Sequence, residues 1–104
     1  MSSTLIDIQL QEAGGLGRYT AHVDDYADQA ELTFSRLDAE TVIADHTWVP
    51  NSLRGQGVAQ ALVERLMDDA RARGFRVVPR CSYVRTLAAR HPEWDDVIQF
   101  SSAL

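Results

Sequence analysis

The hydrophobic period of this chain changes across one short stretch, Val49-Pro50-Asn51-Ser52-Leu53-Arg54-Gly55-Gln56-Gly57-Val58-Ala59. Before it, apolar residues alternate with polar ones, as in half-buried strands; after it, from Ala61 to Ala70, they recur at helical spacing. That order puts a tight turn between a strand end and the first turn of a helix, whose leading N–H groups have no intrahelical partner and can meet an anion. Gly55 and Gly57 allow positive φ and a close approach of backbone to ligand, and Arg54 adds a fixed positive fork. The stretch reads as a phosphate cradle. On the bare residues, an ordinary Gly-rich turn fits as well.

Upstream, Leu5, Asp7 and Gln9 alternate with Ile6, Ile8 and Leu10 in a strand over residues 4–11, broken by Ala13-Gly14-Gly15-Leu16-Gly17. Arg18 to Val23, Ala30 to Leu37 and Thr41 to Val49 give three more strands, separated by the acidic turns around Asp24, Asp25 and Asp28 and at Asp38-Ala39-Glu40. This half is expected to be an antiparallel meander. Downstream, Val58, Leu62, Leu66 and Ala70 share a helical face with Ala59, Val63 and Met67 beside it, and Gly74 suits a left-handed cap. Phe75 to Val78 is a short buried strand, expected to return parallel to the fourth. Ser82 is placed to cap a helix with Val84, Leu87 and Ala88 inward. Pro92 opens a last turn carrying Trp94, Val97 and Ile98, and residues 101–104 are expected to fray. The whole is one α+β (α/β) domain over residues 1–104: a mixed, mainly antiparallel sheet of about five strands, a long helix after the loop, and one or two C-terminal helices.

The loop matches neither of two familiar nucleotide cradles. A Rossmann turn would need glycine where Gln60 stands, and a P-loop needs a lysine, of which the chain has none. What remains is Arg54-x-x-Gly57-x-Ala59, with Val49-Pro50 upstream and an apolar helix downstream. This pattern resembles the diphosphate-binding loop of the GNAT superfamily of N-acetyltransferases. Ala70-Arg71 with Gly74, the run Val77-Val78-Pro79-Arg80-Cys81-Ser82-Tyr83-Val84, and Arg90-His91-Pro92-Glu93-Trp94 are similar to its short, single-domain branch, over about residues 18–98. The resemblance implies acetyl-CoA or coenzyme A as co-substrate, held by Trp48, Val49, Arg54, Gly55, Gln56, Gly57, Val58 and Ala59. It also implies a fourth strand that splays from its parallel neighbour and frees main-chain donors around residues 47–49. A fully paired strand is equally compatible with the sequence.

Acyl transfer to an amine also needs carbonyl polarisation and removal of a proton. Asp45, His46 and Cys81 are the candidates for proton removal. Imidazole is the side chain that ordinarily exchanges a proton near neutral pH, and the short branch has a histidine at the place of His46 in a His-Thr-Glu-Val-Pro run; here Trp48 replaces the glutamate. Cys81 follows Arg80 at an expected helix N-terminus, two features that favour a thiolate able to accept an acyl group. A small buried apolar residue is the other reading, but the short branch carries the same Pro-x-Cys-x-Tyr arrangement. Tyr83 is a candidate donor of a proton to the departing thiolate, by analogy with larger relatives.

Composition bounds the rest. At 104 residues the chain buries only about two-thirds of its unfolded surface and has no room for a separate acceptor domain. A net charge of -5 argues against a nucleic-acid partner. All ten basic residues are arginine, which excludes Schiff-base lysine chemistry. One cysteine gives neither an internal disulfide nor a zinc spacing, so no metal is expected and the setting is expected to be reducing and cytoplasmic. No stretch reaches membrane-spanning length, so no membrane partner is expected. The sequence therefore supports an acyl-CoA-dependent N-acyltransferase acting on a small-molecule or protein amine. The acceptor would bind on an open surface, through a partner, or through a second copy of the chain as a homodimer. The alternatives are a non-catalytic CoA or acyl-CoA binding or carrying protein that uses Cys81, and an interaction module whose Gly loop is only a turn.

Overall fold

The computed structural model of the chain describes residues 5–99, so the expected start of the first strand at Thr4 and the fraying of residues 101–104 lie outside the described residues. Strands β1 (Ile6–Ala13), β2 (Leu16–Val23), β3 (Gln29–Asp38) and β4 (Thr41–Trp48) form the expected antiparallel meander. Helix α1 (Val58–Arg73) then crosses the sheet and returns the chain as β5 (Arg76–Pro79), parallel to β4. The five strands lie in the order β1-β2-β3-β4-β5.

The first break is shorter than the residues suggested. Gly14 and Gly15, both at positive φ (62° and 82°), turn the chain within two residues, and Ala13 pairs with Leu16. Leu16 and Gly17 therefore belong to β2. Gly17 is buried under the Phe34 ring: a Cβ there would lie 2.1 Å from the ring, so only glycine lets Phe34 sink into the sheet.

One sheet face is apolar and carries α1. Tyr19, Ala21, Ala30, Leu32 and Phe34 pack against Val58, Leu62, Val63, Leu66 and Met67, with Ile6, Ile8 and Leu10 at the margin. Each of the large aliphatic side chains contributes about 1.5–3 kcal/mol by leaving water. The Tyr19 hydroxyl donates to Asp69 on α1 at 2.7 Å, while Arg65 lies over the Tyr19 ring, bonds Asp69 and reaches the Ile8 carbonyl. Burial, and then the Asp69 carboxylate, push the Tyr19 phenol well above its usual range. Gly74 caps α1 in the left-handed conformation, as its position predicts, and its N–H bonds the Ala70 carbonyl.

Helix α2 (Ser82–Ala89) buries Val84, Leu87 and Ala88 as expected, but Ser82 does not cap it. Cys81 holds the extended cap conformation and its carbonyl accepts the Arg85 N–H, so the helix opens one residue earlier. Of the one or two expected C-terminal helices, α2 is the α-helix; the second is a single 3₁₀ turn, Pro92–Trp94, with Pro92 in its first turn. Beyond it the backbone runs along the free side of β5. Val77 accepts from Gln99 and donates to Val97, a pairing the helical spacing of Trp94, Val97 and Ile98 did not suggest.

Gly17→Ala is expected to lower stability by about 1–3 kcal/mol through overpacking against Phe34. Urea denaturation checks it, and an unchanged midpoint would show that the ring can shift at no cost.

Candidate functional site

The sheet opens at one place. β4 and β5 pair in register from Thr41 with Arg76 to Ala44 with Pro79, and a last bond joins the Cys81 N–H to the Ala44 carbonyl at 2.9 Å. Pro79 has no N–H to extend the ladder, and the chain turns into α2 two residues later. From Asp45 onward β4 keeps only β3 as a neighbour, and a bulge between Thr33 and Phe34 twists it further. The expected divergence of the parallel pair is therefore present, and the fully paired strand is not.

Cys81 sits in the fork, with Sγ 3.5 Å from Thr47 Oγ1. Burial pushes the thiol up, but the Thr47 hydroxyl and the N–H groups of Val84, Tyr83 and Thr47 outweigh it, and the pKa falls below the ordinary thiol value. The thiol makes no geometric capping bond to α2. It occupies the N-cap position all the same, above the unpaired N–H groups of the helix's first turn.

The loop closes the other side of the opening. Pro50 ends β4, a 3₁₀ turn (Asn51–Leu53) buries Leu53 as an anchor, and Gly55 and Gly57 follow at φ 82° and 76°. Gly57 is the N-cap of α1, no side chain caps the helix, and its first turn carries no acidic residue. Nothing lies within 4 Å of where a Cβ at Gly55 or Gly57 would stand, so backbone faces open space there. Arg54 has no carboxylate partner among the described residues. Two contacts brace the loop from the acidic turn before β3. Ser52 donates to Asp28 at 2.7 Å, and Gln56 donates to the Tyr26 hydroxyl at 3.2 Å. Nothing local marks Tyr26 and Asp28 as loop supports, since they lie 30 and 24 residues from their partners.

The result is a groove of about 410 Å³ lined by Thr47, Val49, Leu53, Arg54, Gly55, Gly57, Val58, Ala59, Gln60 and Tyr83. That is the size of a small-ligand site. A larger hollow of about 560 Å³ over β1 and β2, with Asp7 and Asp24 in its wall, has no helix N-terminus to receive an anion.

The expected site residues divide between the two faces of β4. Val49, Arg54, Gly55, Gly57, Val58 and Ala59 line the groove with Thr47 and Tyr83, and Cys81 adjoins it through Thr47; Gln56 turns to Tyr26 instead. His46 and Trp48 pair across from Thr33 and Glu31, on the face opposite Leu32 and Thr47. Both are exposed, Trp48 at 51%, so neither shares the groove with Cys81. Asp45 accepts from Ser35 at 2.7 Å. The Tyr83 phenol, raised chiefly by partial burial, remains protonated at neutral pH and can donate a proton.

The depressed Cys81 pKa predicts that alkylation by iodoacetamide is half-maximal at a pH below that of a free thiol, and that Thr47→Val moves the midpoint up. A wild-type midpoint at the free-thiol value would show that the donors do not act on the sulfur.

Comparison with known proteins gives this geometry a family. The profile of the GCN5-related N-acetyl-transferase family matches residues 18–97. Protein NATD1 of Xenopus tropicalis is 25% identical over 75 residues, which span 72% of this chain and 69% of that protein. The solution structure of a GCN5-like protein from Staphylococcus aureus superposes with a TM-score of 0.68 at 22% identity, covering 91% of each chain. At that identity the likeness speaks for the fold, and the fold is the expected one. The chain belongs to the GCN5-related N-acetyl-transferase family.

Proposed function

We propose that the protein is an acyl-CoA-dependent N-acyltransferase, with acetyl-CoA as donor and an amine as acceptor. The observation that carries this reading is the meeting, in one groove, of an uncapped helix N-terminus behind two positive-φ glycines and a parallel strand pair that has come apart. The residues fit such a donor. The N–H groups of the first turn of α1 and the Arg54 guanidinium answer a diphosphate, and the open space at Gly55 and Gly57 lets it approach. The freed edge of β4 offers main-chain donors to an amide-bearing arm and to a thioester carbonyl, the group whose polarisation lowers the barrier to attack.

Proton handling falls to residues on both sides of the strand. Tyr83, in the groove wall, is protonated and placed to donate to a departing thiolate. His46, exposed on the other face of β4, is available to take the proton of an amine arriving from that side. The acceptor would then come over the bare sheet face.

The fork favours a second reading in which Cys81 carries the acyl group. The Cys81 thiolate attacks the thioester carbonyl, its S–C bond forms as the bond to the coenzyme sulfur breaks, and Tyr83 protonates the leaving thiolate. An amine then takes the acyl group as an amide: its N–C bond forms as the bond to the Cys81 sulfur breaks, its proton passes to solvent, and the Cys81 thiolate is restored. Without an acceptor site the same residues would make an acyl carrier with no turnover.

Acetyl-CoA at about 100 times its dissociation constant should stabilise the fold by about 2.7 kcal/mol, visible as a raised melting temperature. Arg54→Glu should abolish binding in calorimetry, and unchanged affinity would remove the reading. Release of coenzyme thiol with a mixed amine pool separates enzyme from carrier: repeated turnover supports the first, a single equivalent the second. An acetyl adduct in mass spectrometry of the wild type, absent in Cys81→Ser, would assign the intermediate. Unaltered turnover in Cys81→Ser would assign direct attack.

A further inference from the structure

The segment Gly55-Gln56-Gly57 in front of α1 carries a single side chain, that of Gln56. Both glycines stand at positive φ, and nothing lies within 4 Å of where their Cβ atoms would be, so no neighbour wedges them in place on that side. Glycine backbone has many conformations open to it, and ordering such a segment when a ligand arrives costs affinity. The main chain holds the segment only at its margins: the Gln56 N–H donates to the Leu53 carbonyl at 3.3 Å, and the Gly57 carbonyl accepts from Ala61 at 3.0 Å. Gln56 is the one side chain by which the rest of the protein can grip what lies between. Its amide donates to the Tyr26 hydroxyl at 3.2 Å.

Tyr26 reaches the loop from a fixed base. Asp25 before it takes the left-handed conformation at φ 70°, alone among the described non-glycine residues, a conformation that Asp tolerates better than most side chains. The Tyr26 N–H then closes the turn onto the Val23 carbonyl at 3.0 Å, and the Tyr26 side chain packs against the margin of the core. The other brace, Ser52 on Asp28, is exposed at both ends and competes with water, whereas Tyr26 and Gln56 are both half-buried. The firmer hold on the segment is therefore the one on Gln56.

We infer that Tyr26, which does not line the groove, is a positioning residue for the donor: by holding Gln56 it keeps Gly55 and Gly57 in one conformation before the ligand arrives, and so sets the affinity for the coenzyme. The turn between β2 and β3 thereby governs a loop it never meets in sequence. The inference rests on the acyl-CoA reading.

Calorimetric titration with coenzyme A tests it without turnover. Tyr26→Phe deletes one oxygen and keeps the ring. It is expected to weaken coenzyme A by about threefold to tenfold, the size of one hydrogen bond, while the unliganded melting temperature stays near the wild-type value. Gln56→Ala should weaken binding to the same extent and the double variant no further, because both changes remove one contact. Amide hydrogen exchange at Gly55 and Gly57 should quicken in unliganded Tyr26→Phe. A lowered melt with unaltered affinity and exchange would make Tyr26 purely structural and overturn the inference. If Tyr26→Phe binds as the wild type does, or the two single losses add in the double variant, the assignment falls and the acyl-CoA reading stands. If the wild type binds no coenzyme A, both fall together.

Discussion

The hydrogen-bond ladder between β4 and β5 stops after four pairs, and the site follows from that. A proline at position 79 supplies no donor, Cys81 spends its N–H on the Ala44 carbonyl, and α2 begins at once. Unpaired backbone in a folded chain needs a partner, from water, side chains or a ligand. Here the freed edge of β4 faces a groove whose other wall is a helix N-terminus with the same need. Two deficits of hydrogen bonding open on one space, and the proposed function assigns both to one ligand.

The rest of the fold holds those two deficits in position. Tyr19, Asp69 and Arg65 fasten α1 to the sheet through half-buried contacts, and Leu53 pins the turn before it. Tyr26 and Asp28 brace the loop from a neighbouring turn, so it is tied down although glycine makes it locally free. The same economy shows in charge. Five of the ten arginines hold a carboxylate where they fasten structure, and Arg54, which holds none among the described residues, lines the groove.

Much of this was legible in the residues. The shift from alternation to helical spacing located α1, Gly74 marked its end, and the length of the α1 crossover dictated a parallel return. What local pattern could not give was geometry set by partners distant in sequence. The Gly14-Gly15 turn looked like a five-residue break because Gly17 also looked like a breaker, when it is a strand residue making room for Phe34. Ser82 looked like a cap because its hydroxyl is a common one, but the turn out of β5 set the cap at Cys81. His46 and Trp48 sit beside the loop in sequence, yet strand alternation and the bulge in the pairing with β3 turn them to the face away from the groove. The pairing of residues 97–99 with Val77 was hidden because its partner lies twenty residues away.

The central claim is that the first turn of α1 and the freed edge of β4 bind one ligand together. Amide chemical shifts followed by NMR during titration with coenzyme A test this most directly. The account predicts that the largest shifts fall on the N–H groups of Gly57, Val58 and Ala59 and of Thr47 and Val49, and that they saturate together. Shifts confined to the bare face around Trp48 and Glu31, or none at saturating ligand, would contradict it.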